Sequence, residues 1–100
     1  MKPARIVNEA LLETIRRLPC LACGVFEPQQ YRQAIADDWD CKSDAHHVRT
    51  RGAGGGDTWD NLMALCRPHH QLWHRVGETE MRRRFVSIDG WFEIIFQEQP

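Results

Sequence analysis

The sequence predicts a small α+β domain: two short strands and a helix at its centre, further helices at its flanks, and a staple other than its apolar interior. Three observations lead there. The chain has 100 residues, and a domain of that size buries only part of its apolar surface, so a staple is common. Its apolar positions recur at helical spacing near the start and in short runs in the middle. Its four cysteines and five histidines are concentrated in paired motifs rather than scattered.

Residues 1–18 are expected to form an N-terminal packing helix, 19–77 the core, and 78–100 a C-terminal packing segment, all within one domain. Met1 to Val7 reads as loosely ordered. Asn8 is placed to cap a helix running to about Arg17, where Leu11, Leu12, Ile15 and Leu18 share a face and Glu13 precedes Arg17 by one turn. Pro19 ends it. Glu27 to Lys42 is polar and acidic, with Tyr31, Ile35 and Trp39 at four-residue steps. It reads as a short amphipathic helix, and Phe26, Tyr31 and Trp39 read as packing residues. Asp44 to Arg49 reads as a strand, Arg51 to Asp57 (RGAGGGD) as a flexible loop, and Thr58 to Cys66 as a second strand. The loop lacks the Gly-Lys-Ser/Thr of a P-loop. Pro68 suits the first turn of a helix that passes through His70, Leu72, Trp73 and His74 and stops near Gly77. Glu78 to Val86 reads as another helix. Trp91 to Gln97 (WFEIIFQ) is apolar enough to pack on the core as either strand or helix.

Direction on these elements sorts the ligand-type side chains. Pro19-Cys20-Leu21-Ala22-Cys23-Gly24 places two thiols on one side of a tight turn. That is half of a tetrahedral zinc site and needs a second pair. Cys66 and His69, three apart, have the spacing of the missing half. His70 and His74 are four apart, so both imidazoles leave one face of the helix and can share an ion. His69 points about a quarter-turn away from them. Two sites follow: a closed structural Zn²⁺ site of Cys20, Cys23, Cys66 and His69, and an open site built on His70 and His74. His46 and His47 alternate faces on a strand, although slight twisting at a strand end lets both reach one cleft. A neutral histidine suits general-base chemistry. Cys41 is the odd thiol, expected to be free and at least half buried, with a ligand role as the lesser alternative.

The formal net charge is −1 at pH 7, so overall charge does not argue for an anionic partner. Its distribution is more informative: from His46 to Arg84 there are seven arginines against four acids. Eleven of the thirteen basic residues are arginine, the side chain that grips phosphate through two bonds at once. The N-terminal residues lack the apolar run of a signal peptide, and no stretch is long enough to span a bilayer. A cytoplasmic location with reduced thiols is therefore expected, where paired cysteines bind metal more often than they form disulfides.

The order His46-His47, glycine loop, Asn61-Leu62, Leu65-Cys66-x-x-His69-His70, then His74 resembles the HNH endonucleases. The preceding Cys20-x-x-Cys23-Gly24 matches their zinc-bearing subtype, including small phage-associated members. The resemblance covers about Pro19 to Gly77. It implies a ββα-metal nuclease core with a structural zinc site and flanking helices. It also implies hydrolysis of DNA phosphodiesters, by nicking or double-strand cleavage, with one catalytic Mg²⁺, Mn²⁺ or similar ion, leaving 5′-phosphate and 3′-hydroxyl ends. His47 matches the general base. Asn61 matches the residue that usually steadies the loop and the base by hydrogen bonds and in some members ligates metal. His46, His70 and His74 match the metal ligands, with Asp44 a rival to His46. Many members carry a second cysteine where this chain has His69; zinc accepts three thiolates and one imidazole. Arg49, Arg51, Arg67 and Arg75 are candidates for DNA phosphate contacts, and a larger packaging or recombination complex is a possible setting. The contrasting expectation is a zinc-held module that binds DNA or protein without cutting it. Trp59, Trp73 and Trp91 read as core or groove-wall residues.

Overall fold

The structure is a computed structural model that describes residues 5–24 and 28–97. Helix α1 spans Glu9–Arg17, α2 Pro28–Ala36, α3 Arg67–Arg84 and α4 Val86–Gln97; strands β1 and β2 span Asp44–His47 and Leu62–Leu65. Single 3₁₀ turns lie at Leu21–Cys23 and Arg51–Ala53. The two strands form one antiparallel sheet, with Asp44 opposite Leu65, Ala45 opposite Ala64, His46 opposite Met63 and His47 opposite Leu62. The architecture is thus α+β, and α3 follows the second strand directly.

All four β2 residues are buried, and their alternation explains how. Met63 and Leu65 face one cluster with Leu21, Trp73, Met81, Ile88, Trp91 and Phe92. Leu62 and Ala64 face the other, with Leu11, Leu12, Ile15, Leu18 and Ala34. A strand covered on both sides reads as a continuous apolar run, which is why Leu62 to Leu65 shows no polar alternation. In β1 the same alternation sends Asp44 and His46 toward α3, and Ala45 and His47 toward the α1 side.

The local signals act as their chemistry dictates. Asn8 Oδ1 accepts the Leu11 N–H at 3.0 Å and starts α1, and Glu13 lies 3.4 Å from Arg17 one turn on. Gly77 takes a left-handed φ of 83° and breaks α3 into two helical stretches, a conformation that favours glycine. Residues 91–97 are helical, within α4.

Several expectations need correction. The second strand begins at Leu62 rather than Thr58, because Thr58 to Asn61 is taken up by a turn in which Asn61 N–H bonds to Thr58 O at 3.0 Å. The first ends at His47. Arg5 to Val7 is not loose: Asp57 N–H donates to Ile6 O at 2.8 Å, and Asn8 N–H donates to Asp57 Oδ2 at 2.9 Å. Residues 1–4 and Phe26 lie outside the described residues. On α2 the buried contact is Ala34, with Tyr31 Oη–H donating to Pro19 O at 2.9 Å; Ile35 and Trp39 are exposed. Cys41 is exposed rather than buried. Trp73 and Trp91 are core, whereas Trp59 is half exposed and lines an apolar groove of ≈ 270 Å³ with Ile35 and Tyr31.

Because Leu65 is fully buried, Leu65→Ala is expected to lower stability by about 2–5 kcal/mol. Val86, 87% exposed, provides the control: Val86→Ala should stay within about 0.5 kcal/mol. Chemical denaturation at fixed zinc concentration measures both, and equal effects would contradict the packing described.

Candidate metal centres

Cys20 and Cys23 are presented by the 3₁₀ turn after Pro19. Cys66 and His69 come from the first turn of α3, whose start is fixed by Pro68 and by His70 N–H bonding to Cys66 O at 2.8 Å. The four side chains meet. Cys66 Sγ lies 3.1 Å from His69 Nδ1, Cys20 and Cys23 Sγ each lie 3.5 Å from it, and Cys23 Sγ is 3.8 Å from Cys66 Sγ. Zinc–sulfur and zinc–nitrogen bonds of ~2.3 and ~2.0 Å in a tetrahedron require sulfur–sulfur separations of ~3.8 Å and sulfur–nitrogen separations of ~3.5 Å. The group therefore fits such an ion and can bind a metal such as zinc. Burial, then the hydrogen bond and charge of Cys20, then Cys66, push the Cys23 thiol up to about 12. A bound divalent cation reverses that balance, since a coordinating thiol loses its proton. Cys41 is not in the group.

The second group is His46, His70 and His74, with one ring nitrogen of each within 4.8 Å of the others. His70 and His74 are one turn apart on α3, and their Nε2 atoms face each other at 3.2 Å. His46 enters from β1, its ring centroid 4.4 Å from that of Trp73 and 5.0 Å from that of His70. It is 2% exposed, and its Nε2 is buried with no hydrogen-bond partner among the described residues. A buried polar atom without a partner is uncommon and costly. Burial, followed by the neighbouring His70 and His74 charges, depresses His46 to about 3. The ring is therefore neutral across the physiological range, the form that ligates metal. His70 Nδ1 is 2.9 Å from Asp44 Oδ2. Donation of Nδ1–H to that carboxylate leaves the Nε2 lone pair directed at His74, the usual arrangement behind a metal-bound histidine. The Arg67 guanidinium, 2.7 and 3.1 Å from the Asp44 oxygens, and secondarily His70, hold Asp44 below the ordinary carboxylate range. Asp44 thus sits behind His70, outside the three-histidine group. With His74 exposed, this group opens to solvent.

His47 does not join the three. Its Nε2 is 2.7 Å from Asp57 Oδ1, on the strand face opposite His46, so twisting at the strand end does not bring both rings into one group. The two residues remain close enough for His47 charge to contribute to depressing His46. Asn61 ties the glycine loop: its Oδ1 accepts Arg49 N–H at 2.7 Å, and its Nδ2 donates to Arg49 O at 3.1 Å and Gly56 O at 2.9 Å. These bonds tie the two ends of the loop together. Gly55 lies so close to Arg49 that an added Cβ would be 1.8 Å from its carbonyl oxygen, so only glycine fits. Arg49, Arg51 and Arg75 are exposed, Arg49 with its Nε on Ala53 O, while Arg67 is committed to Asp44.

Neither the place of Asp57 beside His47 nor that of Asp44 behind His70 is apparent from the sequence, where Asp44 reads only as a rival metal ligand. The signal for Asp57 was a lone acid at the end of the glycine run, beside a loop that returns to the strand carrying His47.

Comparisons with protein-family models, with curated proteins and with solved structures found no match. Among the described residues, no helix is long and apolar enough to cross a membrane.

Cys20→Ser is expected to release zinc and unfold the domain, because the affinity of a structural metal is folding energy. Cys41→Ser should leave zinc content unchanged. Metal counting by mass spectrometry under native conditions, paired with circular dichroism, reads both; a Cys20→Ser protein that keeps its zinc would overturn the four-ligand assignment, and one that folds without zinc would overturn the structural role of the ion.

Proposed function

We propose that this chain is a metal-dependent DNA endonuclease of the HNH kind, with a ββα-metal core held by structural zinc. The observation that carries the reading is the convergence of His46, His70 and His74 around the buried His46 Nε2, which has no hydrogen-bond partner among the described residues, one residue from His47. A purely structural role is met by the separate four-ligand group. Three protein ligands with an open side are the pattern of a catalytic rather than a structural centre.

His46, His70 and His74 would hold a divalent ion through imidazole nitrogen, a donor set that suits Zn²⁺ or Ni²⁺ better than Mn²⁺ or Mg²⁺, which would keep water or phosphate oxygens on the open side; the ion would polarise a phosphodiester and stabilise the departing oxygen. The chain's own residues supply the rest. His46 and His70 are set by burial and by Asp44, so the site is formed before substrate arrives. His47 accepts a proton from the attacking water as its oxygen bonds to phosphorus. The bond from phosphorus to the 3′ oxygen breaks, leaving a 5′-phosphate and, after protonation, a 3′-hydroxyl. Asn61 keeps the loop between the strands in one shape. The exposed Arg49, Arg51 and Arg75 are suited to backbone phosphates, which position DNA without reading its sequence. Arg67 braces Asp44 through Nε and Nη2, and its largely exposed guanidinium keeps a further N–H group for a phosphate.

Supercoiled plasmid incubated with the zinc-loaded protein should be nicked or linearised when Ni²⁺, Mn²⁺ or Mg²⁺ is added, and chelation should stop it. His47→Ala and His74→Ala should each lower the rate about 100-fold or more, with the structural zinc retained. Chelator-insensitive degradation, or full activity in His47→Ala, would contradict the mechanism. Zinc retention without any cleavage across a panel of divalent metals would favour a binding module.

A further inference from the structure

The side chain of Asp57 is 1% exposed and belongs to neither metal group, yet three donors converge on it. Oδ2 takes the backbone N–H of Asn8 at 2.9 Å. Oδ1 faces His47 Nε2 at 2.7 Å, with Arg5 Nη1 at 3.4 Å. A carboxylate only accepts, so His47 must present Nε2–H to it, and the lone pair is left on Nδ1. That nitrogen is not among the buried atoms without a partner. The Asn8 N–H, and then His47, hold Asp57 below the ordinary carboxylate range, so it remains an acceptor.

From these contacts we infer that Asp57 is the positioning residue for His47: it fixes the ring's tautomer and orientation so that Nδ1 is the proton acceptor, and residues 5–8 are the latch that keeps Asp57 in place. The latch is built from backbone. Asp57 N–H donates to Ile6 O at 2.8 Å, and the Gly56 position passes so close to Ile6 that an added Cβ would lie 3.1 Å from the Ile6 Cβ. The same segment then caps α1 through Asn8. A carboxylate that merely capped a helix would need the Asn8 contact alone; the short bond to His47 has no part in capping. The N-terminal segment is therefore part of the reactive centre, through Asp57, and not only a packing extension.

The role in catalysis rests on the nuclease reading, while the tautomer is a property of the protein itself. The test uses long-range ¹H–¹⁵N correlation on the zinc-loaded, ¹⁵N-labelled full chain at alkaline pH, where imidazole is neutral. Wild-type His47 is expected to carry its proton on Nε2, with Nδ1 bare. Asp57→Asn keeps the shape but turns one acceptor into a donor. It should give a mixed or reversed His47 tautomer and about 100-fold or greater loss of metal-stimulated plasmid nicking, with zinc content unchanged. A wild-type His47 protonated on Nδ1, or an Asp57→Asn protein with unaltered tautomer and nicking, overturns the proposal. If wild type does not nick at all, the nuclease reading fails and the tautomer still decides the Asp57 assignment. If Asp57→Asn does not fold, the wild-type spectrum decides it alone.

Discussion

Successive side chains on an α-helix leave the axis about 100° apart, and that angle governs what the start of α3 can do. Cys66 and His69 turn toward the 3₁₀ turn that carries Cys20 and Cys23, whereas His70 and His74 turn toward β1 and His46. Adjacent residues thereby serve two separate groups. Any shift in the start of α3 would move both at once. Pro68 in the first turn and the His70–Cys66 backbone bond hold the register on which both depend.

The sheet applies a second constraint of the same type. With a period of two, β1 can deliver His46 to one face and His47 to the other, but not both to one face. Burial of β2 on both sides fixes the register that decides which is which. His46 faces the cluster containing Trp73 and is kept neutral there, and His47 faces the latch formed by Arg5 to Asn8. A one-residue slip of β1 would exchange the two. The core and the candidate site therefore share a single specification.

Much of this was legible in the sequence because it is periodic or local. Cysteine and histidine spacing, the Asn8 cap, the break at Gly77 and the two-group sorting of Cys66, His69, His70 and His74 need only the geometry of one element. What was not legible is tertiary. Asp57 is a single acid after a glycine run, and nothing local shows that the loop folds back to His47 or that Ile6 crosses it. The same run suggested flexibility, since glycine permits many conformations; here Gly55 is required by close approach to Arg49, and Asn61 ties the loop shut. Trp39 and Ile35 fell at helical spacing, but α2 ends at Ala36, before Trp39, and the α2 residue buried against α1 is Ala34.

Cobalt(II) titration of the metal-free protein, followed by optical absorption, tests the division into two sites most directly. The first equivalent should produce the intense thiolate-to-metal charge-transfer band of a Cys₃His site, and a second should bind with nitrogen and oxygen ligands alone. His46→Ala should lose the second and keep the first. A single equivalent, or a second ion that also shows thiolate ligation, would contradict the account.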